Sequence, residues 1–190
     1  MKNRREKGQY GYRTYRKKIQ ILEVLFGVAM ILIQLGARYV TDNQAAKNIL
    51  TVMAILSVLP MANVASPLLA AWKYRTPPEE FYHQVQKYES ACCILYDLIL
   101  TSKEAIMPVD AAAVHPQGVY LYCSSAKTDC KKGEKFLNEL FAAHRLDPKV
   151  KLIQDKKAFF NRLECLKPAT EYEDDGSVEY TRELLKQISM

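Results

Sequence analysis

The residue types that most often do chemistry are few in this sequence, and their spacing excludes the common metal sites. No paired CxxC spacing of the kind that structural zinc sites use occurs among the five cysteines, which are Cys92, Cys93, Cys123, Cys130 and Cys165. The three histidines are scattered, at His83, His115 and His144. The sequence also lacks a phosphate-binding glycine loop, GxSxG and HExxH. We therefore expect neither a zinc site nor a cofactor.

One thiol stands apart from the others. Cys130 is followed by Lys131 and Lys132 near a predicted helix start, a setting that lowers the pKa of a thiol. Cys92 and Cys93 are adjacent on a predicted helix and therefore point to different faces. In a cytosolic domain we expect all of the cysteines to be reduced.

The elements that position these residues follow from the apolar pattern of the second half of the chain. Residues 76–80 read Thr-Pro-Pro-Glu-Glu, which is typical of a linker that ends in a helix start. A helix is predicted over residues 78–101, because apolar residues recur there at steps of three and four. They are Phe81, Val85, Tyr88, Cys92, Leu95 and Ile99.

A hairpin and three further elements are predicted after that helix. Two apolar runs, residues 105–114 and 118–124, flank a His-Pro-Gln-Gly turn and indicate two strands. A helix over residues 132–145, a strand over 150–153 and a helix over 156–166 follow, with a short last helix over 178–188. The order helix, β-hairpin, helix, strand, helix predicts a small α/β domain.

The region from residue 88 to 166 resembles the nuclease-related domain (NERD) of the restriction-endonuclease-like superfamily. The resemblance rests on Leu95-Tyr96-Asp97-Leu98 at a helix end, on residues 109–114 and 118–122, and on the later strand and helix. It implies a metal held by an acid on the first strand, and by an acid and a lysine two residues apart on the second. Asp110 matches the first acid.

The second strand departs from that pattern. Cys123 and Ser125 stand where the acid and the lysine are expected, and Lys127 lies two residues further along the same predicted strand face. A thiol paired with a hydroxyl does not bind Mg²⁺ as two carboxylates do. Asp110 and Lys127 are therefore the catalytic candidates of an enzyme, but the substitutions favour a domain without nuclease activity.

Two apolar stretches, residues 19–40 and 49–72, occupy the first half of the chain. A membrane-spanning helix needs about 20 apolar residues, and both stretches reach that length. A cleaved signal peptide is the alternative for the first, but the run is too long and a second run follows at once. The sequence thus predicts a transmembrane helical hairpin, although 49% hydrophobic residues overall is ordinary for a soluble protein.

Lysine and arginine residues beside the two stretches predict their orientation, because such residues stay on the cytoplasmic side. Eight precede residue 19: Lys2, Arg4, Arg5, Lys7, Arg13, Arg16, Lys17 and Lys18. The connection over residues 41–48 has only Lys47, which Asp42 offsets, whereas Lys73 and Arg75 follow the second stretch. Both termini are therefore predicted to be cytoplasmic, in a multi-pass protein of the cell membrane.

The basic N-terminus has two interpretations. It is expected to rest on anionic lipid headgroups, which account for a cationic cluster beside a span. Tyr10, Tyr12 and Tyr15 among the cations leave nucleic acid as the other partner, through phosphate contacts and base stacking. The net charge of +6 largely reflects this segment.

Polar residues inside the spans are candidates for transport or for packing. Glu23 is the one acid in the two stretches, near the cytoplasmic boundary, and Pro60 and Pro67 are predicted to bend the second helix. Gln34 and Ser57 are expected to hydrogen-bond across the helices, as are Asn63 and Ser66, while Gly27 and Gly36 permit close approach. Two spans enclose no path unless they oligomerise, so an anchor is favoured over a small oligomeric transporter or channel.

These patterns divide the chain into five parts. They are a basic cytosolic segment (1–18), the transmembrane hairpin (19–72), a linker (73–80), the cytosolic α/β domain (81–168) and an acidic tail with a short helix (169–190). The favoured function is interaction or scaffolding with an unidentified protein partner. The alternative is a membrane-tethered, metal-dependent nuclease-like enzyme. A fragment that begins near Thr76 is expected to fold alone.

Overall fold

The computed structural model describes residues 5–102, 106–147, 149–172 and 175–190. The chain divides into two compact units, one of residues 14–75 and one that joins the residues up to Arg13 with residues 76–190. The predictions for Lys2 and Arg4, for Ala105, and for Glu173 and Asp174 of the acidic tail fall outside the described residues. We call the second unit the α/β domain.

The first unit is a helical hairpin. Helix α1 (Tyr12–Val40) has 29 residues, and helix α2 (Gln44–Ala71) has 28. Asn43 caps α2, since its side-chain oxygen accepts a hydrogen bond from the Ala45 backbone N–H at 2.9 Å. The most apolar windows of the two helices have mean hydropathies of 2.0 and 1.9, and 6% of each window is buried. By length and composition, both helices can cross a membrane.

Contacts within the hairpin only partly follow the sequence expectation. Gln34 Nε2 lies 3.4 Å from Ser57 Oγ across the two helices, as expected. Ser66 instead donates to the Ala62 carbonyl of its own helix. A Cβ added to Gly27 would lie 3.1 Å from Met61 Cγ, whereas one added to Gly36 would meet nothing within 4 Å. Close approach is therefore a property of Gly27 and not of Gly36.

The α/β domain is built on a four-stranded sheet in the order β1-β2-β3-β4. Strands β1, β2 and β3 are antiparallel neighbours, and β4 pairs parallel to β3. The elements in chain order are α3 (Glu79–Gln86), β1 (Cys93–Thr101), β2 (Ile106–His115), β3 (Gly118–Tyr122), α4 (Cys130–Ala143), β4 (Val150–Ile153), α5 (Lys156–Glu164), a 3-10 turn (Ala169–Glu171) and α6 (Ser177–Gln187). The predicted class, two apolar helices followed by a small α/β domain, is confirmed.

The helix predicted over residues 78–101 is wrong in its second half. It ends at Gln86, and residues 93–101 form strand β1. The steps of three and four are also present in a strand that is apolar on both faces, and residues 94–96 and 98–100 are continuously apolar. The two-sided burial of β1 decided the structure. Cys92 and Cys93 consequently do not lie on a helix.

Each face of the sheet packs against helices. One face, with Leu98, Val109 and Leu121, packs with Leu137 and Phe141 of α4 and with residues of α6. The other face, with Tyr96, Tyr120 and Tyr122, packs with Phe159 and Leu163 of α5 and with α3. Strands covered on both sides explain why β1, β2 and β3 are apolar almost throughout.

The N-terminal segment (residues 5–13) belongs to the α/β domain. The Gly8 carbonyl accepts a hydrogen bond from the Tyr96 backbone N–H at 2.8 Å. The Tyr10 ring stacks on Tyr82 with centroids 4.5 Å apart, and its hydroxyl donates to the Pro77 carbonyl at 2.9 Å. Lys7 Nζ donates to the Ser189 carbonyl at 2.7 Å. Several groups of this basic segment are therefore engaged by the domain.

Candidate functional site

Asp110 lies buried in the middle of β2, where it has two partners. Its Oδ1 accepts a hydrogen bond from Arg13 Nη1 at 2.7 Å, and its Oδ2 accepts one from the Ser124 backbone N–H at 3.1 Å. The side chains of Arg13 and Asp110 are 2% and 3% exposed. The acid that the resemblance assigns to a metal thus forms a buried ion pair with the N-terminal segment.

Asp97 of β1 is the second carboxylate at this position. Tyr96 pairs with Ala111 and Leu98 with Val109, so Asp97 stands opposite Asp110 on the neighbouring strand. Two acids in such a cross-strand position repel each other. The positive Arg13 guanidinium attracts both carboxylates, since its Nε also lies 3.8 Å from Asp97 Oδ1.

The backbone is irregular at this level of the sheet. Asp97 has a φ of +57°, in the left-handed region that non-glycine residues seldom adopt. Leu95 and Leu98, three residues apart, face the same core cluster, as do Val109 and Ala112 on β2. Simple alternation would place residues three apart on opposite faces. The alternation of side chains is therefore interrupted in both strands at Asp97 and Asp110, while the pairing of the strands continues on either side.

Arg13 also bonds to the backbone of both strands. Its Nη2 donates to the Leu98 carbonyl at 2.8 Å and to the Val109 carbonyl at 2.6 Å. The planar guanidinium suits this arrangement, because its donors are fixed in a fork that a lysine ammonium lacks. We call Arg13, Asp97 and Asp110 the arginine–aspartate cluster.

Asp97 is held by groups from both chain segments that enter the domain. Its Oδ2 accepts hydrogen bonds from the Gly11 backbone N–H at 2.7 Å and from Thr76 Oγ1 at 3.0 Å. Gly11 has a φ of +80°, which glycine adopts without strain. Burial raises the pKa of the Asp97 carboxyl, and the Arg13 charge and these hydrogen bonds oppose the rise.

Among the other residues that the resemblance assigned, Cys123 lies beside Asp110, because the preceding Tyr122 pairs with Ala111 on the neighbouring strand. Cys123 is buried, with its Sγ 3.4 Å from Thr128 Oγ1, and burial raises its pKa. Lys127 lies exposed in a turn beyond the end of β3, so its placement on the strand is wrong. In the part of the chain that the structure describes, no group of three or more histidine, cysteine or acidic side chains is arranged to hold a metal ion.

The remaining thiol and histidine candidates have structural surroundings. Burial raises the pKa of Cys130, so the lowered value expected from its lysine neighbours is wrong. His115 is buried, with Nε2 2.9 Å from the Lys167 carbonyl and Nδ1 accepting from the Gln117 N–H. His144 Nδ1 lies 2.9 Å from the Tyr180 hydroxyl, and His83 Nε2 is 4.0 Å from Glu79.

Sequence reasoning missed Arg13 and Asp97 as site residues. Arg13 carries no signal of its own, because it is one cation among many in a basic segment. Asp97 does carry one, since it is the single charge within the apolar run from residue 93 to 100. A lone buried acid requires a partner, and that requirement points to a cation elsewhere in the chain.

Fold and site together define an α/β domain with a buried arginine–aspartate cluster, in a chain with two helices long and apolar enough to cross a membrane. Comparison with models of protein families, with curated proteins and with solved structures finds no match.

Proposed function

We propose that this chain is an integral membrane protein whose α/β domain acts in the cytosol as an interaction or scaffolding module and performs no catalysis. The observation that carries the proposal is the ion pair between Arg13 and Asp110, with 2.7 Å between Nη1 and Oδ1. Asp110, the one acid in the predicted catalytic position, therefore has a structural partner in Arg13.

A metal-dependent reaction at Asp110 is unfavourable in this arrangement for an electrostatic reason. Mg²⁺ binds through carboxylate oxygens and water, and nucleases use the bound ion to activate a water molecule. The guanidinium already neutralises Asp110 in a site closed to solvent. A metal ion there would have to displace Arg13 from Asp110 and so break a buried ion pair, which is costly.

We further propose that the α/β domain derives from a domain of the NERD type. The order of hairpin, helix, strand and helix from Ile106 to Glu164 supports it. The segment that ends at Leu98 does not, because it is strand β1 and not the helix that the resemblance implied. A domain of this origin that has lost its second acid retains a surface for binding but no hydrolytic centre.

The protein should show no metal-dependent nuclease activity. The full chain, purified in detergent and incubated with DNA or RNA in Mg²⁺ or Mn²⁺, should cleave no faster than the Asp110→Asn variant. Equal traces of cleavage in both proteins would reveal a contaminant. Cleavage that disappears in Asp110→Asn, while circular dichroism shows the fold retained, would falsify the non-catalytic reading and favour the membrane-tethered nuclease.

The membrane part of the proposal rests on α1 and α2, and its orientation rests on the cations beside them. A reporter enzyme that works only outside the cell membrane should be inactive when fused after Met190, because Lys73 and Arg75 retain that side in the cytoplasm. The same reporter inserted in the connection between Val40 and Gln44 should be active. The reverse pair of results would overturn the orientation.

A further inference from the structure

We propose that five lysines of the α/β domain form a face that binds the anionic headgroups of the lipid bilayer. The face consists of Lys127, Lys131, Lys132, Lys156 and Lys157, and we call it the lysine face. It differs from the basic N-terminus, for which lipid contact was expected from the sequence. The inference rests on the proposed membrane insertion of the chain.

The five lysines belong to one end of the sheet because β3 and β4 are parallel and in register. Tyr122 at the end of β3 pairs with Ile153 at the end of β4, and the next residue, Cys123, donates its backbone N–H to the Ile153 carbonyl at 3.0 Å. Gln154 Nε2 donates to the Ser125 and Thr128 carbonyls at 3.1 and 2.9 Å. The turn after β3 and the starts of α4 and α5 therefore lie together at one end of the sheet.

This end of the domain carries an excess of positive charge. All five lysines are exposed, and none of them forms an ion pair within the residues that the structure describes. The nearest acids in sequence, Asp129 and Asp155, cap α4 and α5 by accepting backbone N–H hydrogen bonds. Those carboxylates thus accept hydrogen bonds from the backbone at the helix starts instead of pairing with the lysines.

Arg13 and Thr76 also lie at this end of the sheet. The chain leaves the domain after Arg13 and returns to it at Thr76. Asp110 accepts hydrogen bonds from Arg13 and from the backbone of Ser124, which begins the turn that bears Lys127. On the other strand, Asp97 accepts from Thr76. Lys156 Nζ lies 5.7 Å from the ring centroid of Phe81, five residues after Thr76.

The chain between the domain and the first predicted span is short. Helix α1 continues from Arg13 to the apolar stretch that begins at Ile19, and six helical residues rise only about 9 Å. That distance is comparable with the Debye length of about 8 Å at physiological ionic strength. A connection of this length permits lysines at this end of the domain to come within range of anionic headgroups.

Anionic lipid is favoured over nucleic acid because the domain is joined to the predicted spans by so short a connection. Both would be attracted by lysines, but a nucleic-acid surface of this kind usually adds aromatic side chains on which bases stack. The aromatic residues next to the lysine face, Phe81 and Phe160, pack with Lys156 and with each other and are at most partly exposed. The cationic groups that the face offers to a ligand are ammonium groups.

The experiment measures lysine acylation by mass spectrometry in the full chain, reconstituted in nanodiscs of phosphatidylcholine alone or with phosphatidylglycerol at a ratio of about 2:1. Phosphatidylglycerol should slow acylation of the five lysines by roughly threefold or more, and about 0.5 M salt should abolish the difference. Lys149, at the opposite end of β4, is the internal control and should react equally in both lipids.

A matched pair of variants that remove lysine charges tests the binding of anionic lipid by the lysine face. One variant changes the five lysines of the face to glutamine, and the control changes five exposed lysines elsewhere in the domain: Lys87, Lys135, Lys149, Lys151 and Lys167. Both lose the same net charge. The face variant should retain about half as much co-purifying phosphatidylglycerol as the control variant, or less, since each cation near the surface adds to the attraction.

Three results would overturn the lysine face. They are equal acylation in both lipids, equal protection by inorganic phosphate added to phosphatidylcholine discs, and stronger protection by an RNA oligonucleotide than by phosphatidylglycerol. The second would mean binding of any small anion, and the third would assign the face to nucleic acid. A chain that does not enter nanodiscs of either lipid would instead refute the proposed membrane insertion, so the two failures are distinguishable.

Discussion

Replacing Arg13 by methionine should destabilise the α/β domain by about 3–5 kcal/mol, the usual loss when one partner of a buried ion pair is removed. The variant would leave the carboxylates of Asp97 and Asp110 opposite each other on neighbouring strands without the cation that separates them. Hydrogen exchange of β1 and β2 amides in the full chain measures the effect. Their protection should fall by roughly two to three and a half orders of magnitude.

The loss should depend on pH in a definite direction. Burial raises the pKa of Asp97 above its ordinary value of 3.8, and Arg13 opposes the rise. An acid whose folded-state pKa is raised favours the folded state at low pH, and this contribution is lost as the pH rises through the folded-state pKa. Without Arg13 that pKa rises further. The destabilisation should therefore be smaller at about pH 5 than at about pH 7.

Two further variants test whether the loss of stability comes from the buried charges of the arginine–aspartate cluster. Arg16→Met removes an exposed cation from the same helix and should leave the exchange of β1 and β2 unchanged. Adding Asp97→Asn and Asp110→Asn to Arg13→Met removes all three charges and should recover part of the stability. If Arg13→Met and Arg16→Met behave alike, the cluster does not hold the strands together.

A fragment of residues 76–190 should be far less stable than one in which residues 5–13 are joined to Thr76 by a flexible glycine–serine linker. The shorter fragment lacks Arg13, the hydrogen bond between Tyr96 and Gly8, and the stacking of Tyr10 on Tyr82. Domains are typically stable by only about 5–15 kcal/mol. Removal of these contacts should therefore unfold much of the short fragment.

Hydrogen exchange distinguishes the two fragments directly. The Val119–Tyr122 amides should exchange slowly in the linked fragment and fast in the short one, and circular dichroism should follow the same order. Arg13→Met in the linked fragment should abolish most of the gain, whereas Arg5→Met should not. Slow exchange in the short fragment would contradict this result and confirm the expectation, made from sequence, that the domain folds from Thr76 onward by itself.

The sequence alone determined the helical hairpin and most elements of the α/β domain. Helices α1 and α2 follow from apolar runs of membrane-spanning length, and β2, β3, α4, β4, α5 and α6 follow from local periodicity and turn residues. These are local properties, because the residues that produce each signal are neighbours in the chain. The orientation of the hairpin and the NERD resemblance also come from sequence, and the reporter fusions test the orientation.

Only the tertiary structure decided that residues 93–101 form a strand and which residues form the candidate site. The spacing of apolar residues over 93–101 suits one face of a helix and a strand buried on both faces equally well, and pairing with β2 selected the strand. The partner of Asp110 lies 97 residues away at Arg13, within a segment whose composition indicated the orientation of the spans and contact with lipid headgroups or nucleic acid. A buried carboxylate requires a cation for electrostatic reasons, but which of many cations supplies it depends on which strand and loop the fold brings together.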